Sequence, residues 1–426
     1  MLVISSFGQA QSIQLTSLMA AIQLAEQNSF QLKQLEAQTQ FLKYDQRIAS
    51  GALLPSLNSS ASSDYNLELP VQLIPAEIFG GPAGSFQEVR FGQNYNSNLA
   101  FQFEAPIVHA DKLAGRQMAV ENRLAAESDE KTVRNNYLRN IAGLYLNILV
   151  IRQAIEVNTE LDSTAYLLYN TTKQRFNEEL NSVADLNRTE NLMLSNYQQT
   201  RTLKASENIA INQLKMLLGL ESENDLEIID QLNNYIPDFS VVSGDPFNRN
   251  QVIAAEHQLN SAKWNYKKSQ YAWLPKLSFN SRYTFANQTN QLLSGDGFSY
   301  QFGTVGLSAT MPLFGGFVKY NQQKKAALNY RAAEFNLNQI KIEAATELSE
   351  WQIRLKEKSD AKILAERRAM LANQTLELSI MNYDEGFISL DQLFNVYGEY
   401  AQSKNNYLQI LADAIKYETW LKLELN

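Results

Sequence analysis

Cysteine is absent from these 426 residues, and histidine occurs twice, as His109 and His257, far apart in sequence. The first absence excludes disulfides, thiolate metal sites, a cysteine nucleophile and an amino-terminal lipid-modified cysteine in the chain as given. The second leaves little for a zinc site or a serine-histidine triad, so both histidines are expected to pack or to face solvent. No metal and no cofactor is expected. Long apolar runs are missing too: no stretch reaches the roughly 18 residues that a spanning helix needs, so any membrane crossing must be made by strands. The 37 Lys and Arg against 45 Asp and Glu give a net charge of −8, and no basic run stands out, so nucleic acid is not an expected partner. The start, MLVISSFGQAQS, has a short apolar run and a small-residue ending but no Lys or Arg. It reads as the remnant of a secretion signal over residues 1–12, with a frayed terminus as the alternative.

Proline and glycine are scarce where it matters. Residues 317–385 contain neither, a run of 69, and no proline lies between Pro106 and Pro237 or after Pro312. Either residue weakens a helix interior, by about 1 kcal/mol for Gly and about 3 for Pro, so these gaps permit very long helices. At about 1.5 Å per residue, such a run spans roughly 100 Å. Leu337, Ile340, Ala344, Leu348, Trp351 and Leu355 step by three and four, and Leu364, Leu371 and Leu378 recur every seven, the pattern of a coiled-coil seam.

The chain also repeats itself. Asn28 and Pro55 correspond to Asn248 and Pro275, FEAPIVHADKLAG to ATMPLFGGFVKYN, and RFNEELNSVADL to NYDEGFISLDQL. Each half reads helix, strand, loop, strand, long helix, tight turn, helix. The expected organisation is a first repeat over 13–218, a joining segment over 219–247 and a second repeat over 248–426. The loop between the first two strands is the longer one, and its Pro70, Pro75 and Pro82 mark irregular surface backbone.

Four strands are expected, at about 55–66, 97–108, 275–287 and 300–312. Leu99, Phe101, Phe103, Ala105 and Ile107 alternate with polar neighbours, as do Leu277, Phe279, Ser281, Tyr283 and Phe285, and then Val305, Leu307, Ala309 and Met311. Lengths near 10 to 12 suit tilted membrane strands, and Tyr271, Trp273, Tyr300 and Phe314 flank them as interfacial aromatics do. A soluble sheet with one wet face gives the same alternation. If the strands do cross a bilayer, four cannot close a barrel, and several chains must share one. A conduit then favours three or more chains, because an eight-stranded barrel is filled by its own side chains.

LLPSLNSSASSDY, WLPKLSFNSRYTF, PLFGGFVKYNQQKKA and YDEGFISLDQLFNVYGEYAQSKNNYLQ, in this order and over nearly the whole chain, resemble the TolC family of outer-membrane efflux proteins. The resemblance implies a mainly α fold with a transmembrane β-barrel portion: a homotrimer whose twelve-stranded barrel continues into a periplasmic tunnel of coiled-coil helices. It implies a passive exit duct in the outer membrane of a Gram-negative bacterium, with a large periplasmic part in contact with a periplasmic adaptor and an inner-membrane pump. Outer-membrane lipid is a further partner, and the cargo is small molecules or polypeptides. Consistent with a passive duct, no phosphate loop of the type GxxxxGK followed by Ser or Thr is present. A soluble periplasmic coiled-coil scaffold is the alternative reading.

The resemblance further implies that the hairpins near 176–190 and 383–397 are the periplasmic tips, where the tunnel narrows and the adaptor docks. The family pattern is an aromatic, Gly at +3, Ser or Thr near +6 and often Asp at +9. Tyr383, Gly386 and Ser389 match it, while +9 is Gln392 with Asp391 one place earlier; Phe176, Ser182 and Asp185 match it, while +3 is Glu179. Where some members carry an aspartate pair, this chain has Gln392 and Asn395, which leaves Asp185 or Asp391 to line a constriction, or Asp185 as a helix-start carboxylate.

Overall fold

The computed structural model describes residues 13–235, 244–291 and 297–425. The expected signal remnant at 1–12 lies outside the described residues, as does part of the joining segment. The helices are α1 (Leu18–Asn28), α2 (Phe30–Gly51), α3 (Ala110–Asn177), α4 (Val183–Leu217), α5 (Asn250–Tyr271), α6 (Val318–Asp384) and α7 (Leu390–Leu425). The strands are β1 (Ile13–Leu15), β2 (Ser56–Tyr65), β3 (Val71–Pro75), β4 (Phe86–Arg90), β5 (Tyr95–Val108), β6 (Leu226–Ile228), β7 (Lys276–Thr289) and β8 (Phe298–Thr310). The chain is mainly helical, and among the described residues no helix is long and apolar enough to cross a membrane. Two compact units result, one made of Met1–Gln40, Ala125–Glu256 and Asn336–Asn426, the other of Phe41–Leu124 and His257–Phe335.

The second unit holds an antiparallel sheet in the order β2, β5, β7, β8. Both halves of the chain enter it through the same turn. The N–H groups of Ala52, Leu53 and Leu54 donate to the carbonyls of Ile48, Ser50 and Gly51; those of Ala272, Trp273 and Leu274 donate to Lys268, Gln270 and Tyr271. Pro55 and Pro275 follow, and a proline disfavours helical backbone in the residue before it, so the helix stops and the strand begins.

Register sorts the sheet into two faces. Ser59, Phe101, Tyr283 and Gly303 form one cross-strand row, and Ala105, Phe279 and Leu307 another. This face carries the apolar residues, with Phe101 against Phe285 at 6.5 Å and Phe103 against Phe279 at 6.0 Å, both edge to face. Gly303 is needed here, since a Cβ would stand 2.9 Å from Cδ2 of Tyr283. The other face carries Ser60, Gln102, Asn280 and Arg282. The apolar pattern changes face within β8: Phe298, Tyr300 and Phe302 sit on the polar side, their rings 5.8 and 6.1 Å apart. All ten residues of the edge strand β2 are exposed, as are nearly all of β8.

The long loop between β2 and β5 departs from the expected irregular backbone. It folds into a ribbon, with Val71 to Pro75 paired against Arg90 to Phe86. Its prolines do not prevent this, because Pro70 precedes the ribbon and Pro75 closes β3, positions where a strand tolerates a missing donor.

In the first unit, β1 pairs in parallel with β6 beside a core that includes Tyr145, Ile141, Leu149, Leu214 and Leu408. On α6, Leu337, Ala344, Leu348, Trp351 and Leu355 are buried as the spacing predicts. Leu364, Leu371 and Leu378 are exposed in the single chain, and Ala365, Ala369, Leu376 and Tyr383 form the buried stripe beside them. Ala369, Leu376 and Tyr383 keep the seven-residue period within the chain, and the leucine seam is left uncovered by the described residues.

One ionic cluster is buried here. Glu424 accepts from Arg139 at 2.9 Å and from Arg249 at 2.8 Å, Arg249 also reaches Glu347 at 2.7 Å, and both guanidiniums lie over the Trp351 ring. The two histidines pack: His109 meets Ser278 Oγ at 2.9 Å and His257 meets Glu121 at 2.8 Å.

Candidate functional site

The two tight turns between long helices close in the same way. After α3, Leu180 N–H donates to Arg175 O at 2.8 Å and Glu179 N–H to Phe176 O at 3.0 Å; after α6, Phe387 N–H donates to Asn382 O at 2.8 Å and Gly386 N–H to Tyr383 O at 3.0 Å. This is the paired 6→1 and 5→2 bonding of a Schellman end, which puts one residue in the left-handed region. That residue is Glu179 (φ 60°) in the first turn and Gly386 (φ 81°) in the second. Gly386 therefore answers a backbone demand that Glu179 meets at a cost.

The next helices begin alike. Ser182 Oγ accepts from Asp185 N–H at 3.1 Å while the Asp185 carboxylate accepts from Ser182 N–H at 3.2 Å. In the second turn Ser389 Oγ accepts from Gln392 N–H at 3.3 Å and Gln392 Oε1 accepts from Ser389 N–H at 3.0 Å. Both are capping boxes, in which a short polar residue and the residue three places on satisfy each other's orphan donor. Ser182, Asp185, Ser389 and Gln392 thus all have a local structural task.

The two turns also meet. Arg188 pairs with Asp391 at 2.6 Å, both well exposed. Arg175 donates to Asp384 O at 2.6 Å and lies 5.1 Å from the centre of the Tyr383 ring. Tyr383 is buried, its hydroxyl within reach of Thr172 and Asn181. Phe176 is half-buried, and Asn395 is exposed on α7. Sequence reasoning passed over Arg175 and Arg188, which come together with Tyr383 and Asp391 only across the two halves. It also passed over Leu180 and Phe387, equivalent positions in the repeat, which are 71% and 74% exposed. An apolar residue at the same place in both turns, left in water, was the available signal.

Behind the turns runs a seam of tyrosines. Tyr397 donates to Leu161 O at 2.8 Å and Tyr400 to Glu160 at 3.3 Å. Burial raises the pKa of Tyr397, and burial with the neighbouring Glu160 charge pushes Tyr400 up to about 12. Both stay protonated donors through the physiological range. Among the described residues no group of three His, Asp or Glu could hold a metal ion.

Comparison with known structures extends this local picture to the whole chain. A membrane protein from Pseudomonas aeruginosa superposes with a TM-score of 0.81 at 15% identity, covering 97% of this chain and 91% of its own. The CmeC outer membrane channel of Campylobacter jejuni gives 0.80 at 16%, covering 96% and 85%, and the outer membrane protein VceC of Vibrio cholerae 0.79 at 16%, covering 96% and 95%. No curated protein sequence matches the chain. The sequence pattern of the outer membrane efflux proteins matches residues 21–220 and 247–422. Spanning most of both halves, that match makes this chain a member of the outer membrane efflux protein family, a mainly helical channel component of the Gram-negative outer membrane.

Proposed function

We propose that three copies of this chain form the passive exit duct of a tripartite efflux system, with a shared twelve-stranded barrel in the outer membrane and the two helical turns at the periplasmic end. The observation that carries this reading is the four-stranded sheet. Its apolar face and both of its edges lack any covering layer among the described residues of their unit, and an open edge in hydrocarbon costs several kcal/mol per unpaired group. Joining β8 of one copy to β2 of the next removes every edge. A soluble scaffold would need protein over those faces.

The adaptor is the proposed partner of the turns, with Leu180 and Phe387 as apolar contacts and Ser182, Gly386 and Ser389 shaping the backbone that presents them. Phe176, Asp185, Tyr383, Asp391, Gln392 and Asn395 lie at or beside the proposed constriction, and Asp391 is the carboxylate there that reaches from one half of the chain to the other. An inner-membrane pump supplies the energy, directly or through the adaptor. Small molecules are the cargo we favour over polypeptides in type I secretion, because the family whose sequence pattern matches both halves is that of the outer membrane efflux proteins.

The test is the mass and conductance of the detergent-purified chain. A heat-resistant trimer that conducts in planar bilayers is expected; a detergent-independent monomer that passes no current overturns the duct. Bulky residues at Ser182, Gly386 and Ser389 together should abolish crosslinking to the adaptor, and unchanged crosslinking and efflux would remove the docking assignment.

A further inference from the structure

Residues 257–331 contain nine Lys and Arg and a single acid, Asp296, in a chain whose net charge is −8. The excess is spread too thinly to appear as a run, and the fold gathers it. Four of these cations have partners. Lys276 pairs with Asp111 at 2.5 Å, Lys319 donates to Ala272 O at 3.0 Å, and Lys267 and Lys324 lie over the rings of Trp264 and Tyr320. Lys268 and Lys325 are among the five that, within the described residues, have no hydrogen-bond, ion-pair or ring partner, and they are the two of those five that share a cleft.

Both line one cleft of about 430 Å³, bounded by α5, the start of α3 and the start of α6. Lys268 crosses from α5 to α3, its Nζ 3.8 Å from where a Cβ of Gly115 would stand. Lys325 enters from α6, and Asn265, Ser269 and Gln322 supply neutral amide and hydroxyl groups. Asp111 also lines the cleft, but Lys276 balances its charge, and its Oδ1 is buried with no hydrogen-bond partner. The helix dipole favours Lys268, in the last turn of α5, whereas Lys325, two turns into α6, lies beyond the reach of that helix's dipole.

Two ammonium groups over a ring of neutral donors, beside one unused acceptor, match a tetrahedral oxyanion better than a planar one. A phosphate offers each ammonium an oxygen in a charge-assisted bond, and its remaining O–H, or a hydroxyl on its carrier, can donate to Asp111 Oδ1. A carboxylate has neither the extra oxygens nor the donor. We propose that this cleft is a binding site for a phosphate group, carried either by a soluble solute or by a lipid headgroup.

The full chain in neutral detergent should be titrated calorimetrically with inorganic pyrophosphate, and in parallel its retention of phosphatidylglycerol against phosphatidylcholine measured by native mass spectrometry. Lys268→Gln/Lys325→Gln is expected to weaken one of these by at least tenfold. Lys268→Arg/Lys325→Arg should retain it, and Lys204→Gln/Lys356→Gln, which removes equal charge from exposed positions elsewhere, should leave it unchanged. Loss in the pyrophosphate arm identifies a soluble ligand, and loss in the lipid arm a headgroup. Equal behaviour of the wild type and the cleft variant in both arms, or equal loss in the control variant, overturns the site. The readout needs no conductance, so a chain that binds phosphate but passes no current would sink the duct and leave the cleft standing.

Discussion

At the residue scale, the repeat offers an experiment already half performed. Glu179 and Gly386 occupy the same left-handed position, and a side chain there costs about 1 to 2 kcal/mol. Glu179→Gly is therefore expected to raise stability by about 1 kcal/mol and Gly386→Ala to lower it by a similar amount, read as opposite shifts in the thermal midpoint. No shift in either direction would mean that the turns relax into another geometry. The buried cluster gives a larger effect. Glu424 is nine-tenths buried and serves two arginines, so Glu424→Leu leaves the buried Arg139 without its carboxylate and Arg249 with Glu347 alone, and should cost about 3 to 5 kcal/mol. The Arg188–Asp391 pair is exposed at both ends, and Arg188→Ala should cost less than about 1 kcal/mol. If it also alters transport, that effect cannot be attributed to lost stability.

At the scale of elements, what was legible depended on whether the signal was local. Pro55 and Pro275 announce the change from helix to strand, and the structure starts β2 and β7 at the very next residue. The alternation of β5 and β7 gave their faces correctly. In β8 it holds for Val305, Leu307 and Ala309, while Phe298, Tyr300 and Phe302, to which the alternation assigned no face, fall on the polar side. The leucine heptad on α6 shows a different limit: period is a property of one helix, whereas which face is covered is set by its neighbours, and within the chain the covered face is that of Ala365, Ala369 and Leu376. The capping boxes were hidden because Gln392 does the work of Asp185 and so looks like a departure from a pattern. The sheet carries its own test. Phe101→Lys or Phe279→Lys should impair assembly into membranes far more than Gln102→Lys or Asn280→Lys, because a Lys on the lipid face of a barrel costs about 2 to 4 kcal/mol near the midplane. Equal tolerance at all four positions, measured as heat-resistant oligomer recovered from membranes, would count against lipid contact.

At the scale of the whole molecule, two separate features of one chain fit the proposed assembly of several copies. β2 and β8 are exposed edge strands that the proposed barrel would join, and Leu364, Leu371 and Leu378 form an exposed apolar stripe on α6 at a coiled-coil repeat. An intrachain core defect and an intersubunit defect are separable here because the two stripes lie one residue apart on the same helix. Ala365→Glu places a charge in the buried stripe and should lower the thermal midpoint of the chain itself. Leu364→Glu/Leu371→Glu places charges on the exposed stripe, so helix content should survive while the oligomer loses its resistance to heat and dilution. The comparison is made by circular dichroism and light scattering on the same preparations. Should the exposed-stripe variant keep its mass and heat resistance, those leucines face water in the assembly, and the case for shared helices would fall back on the sheet edges alone.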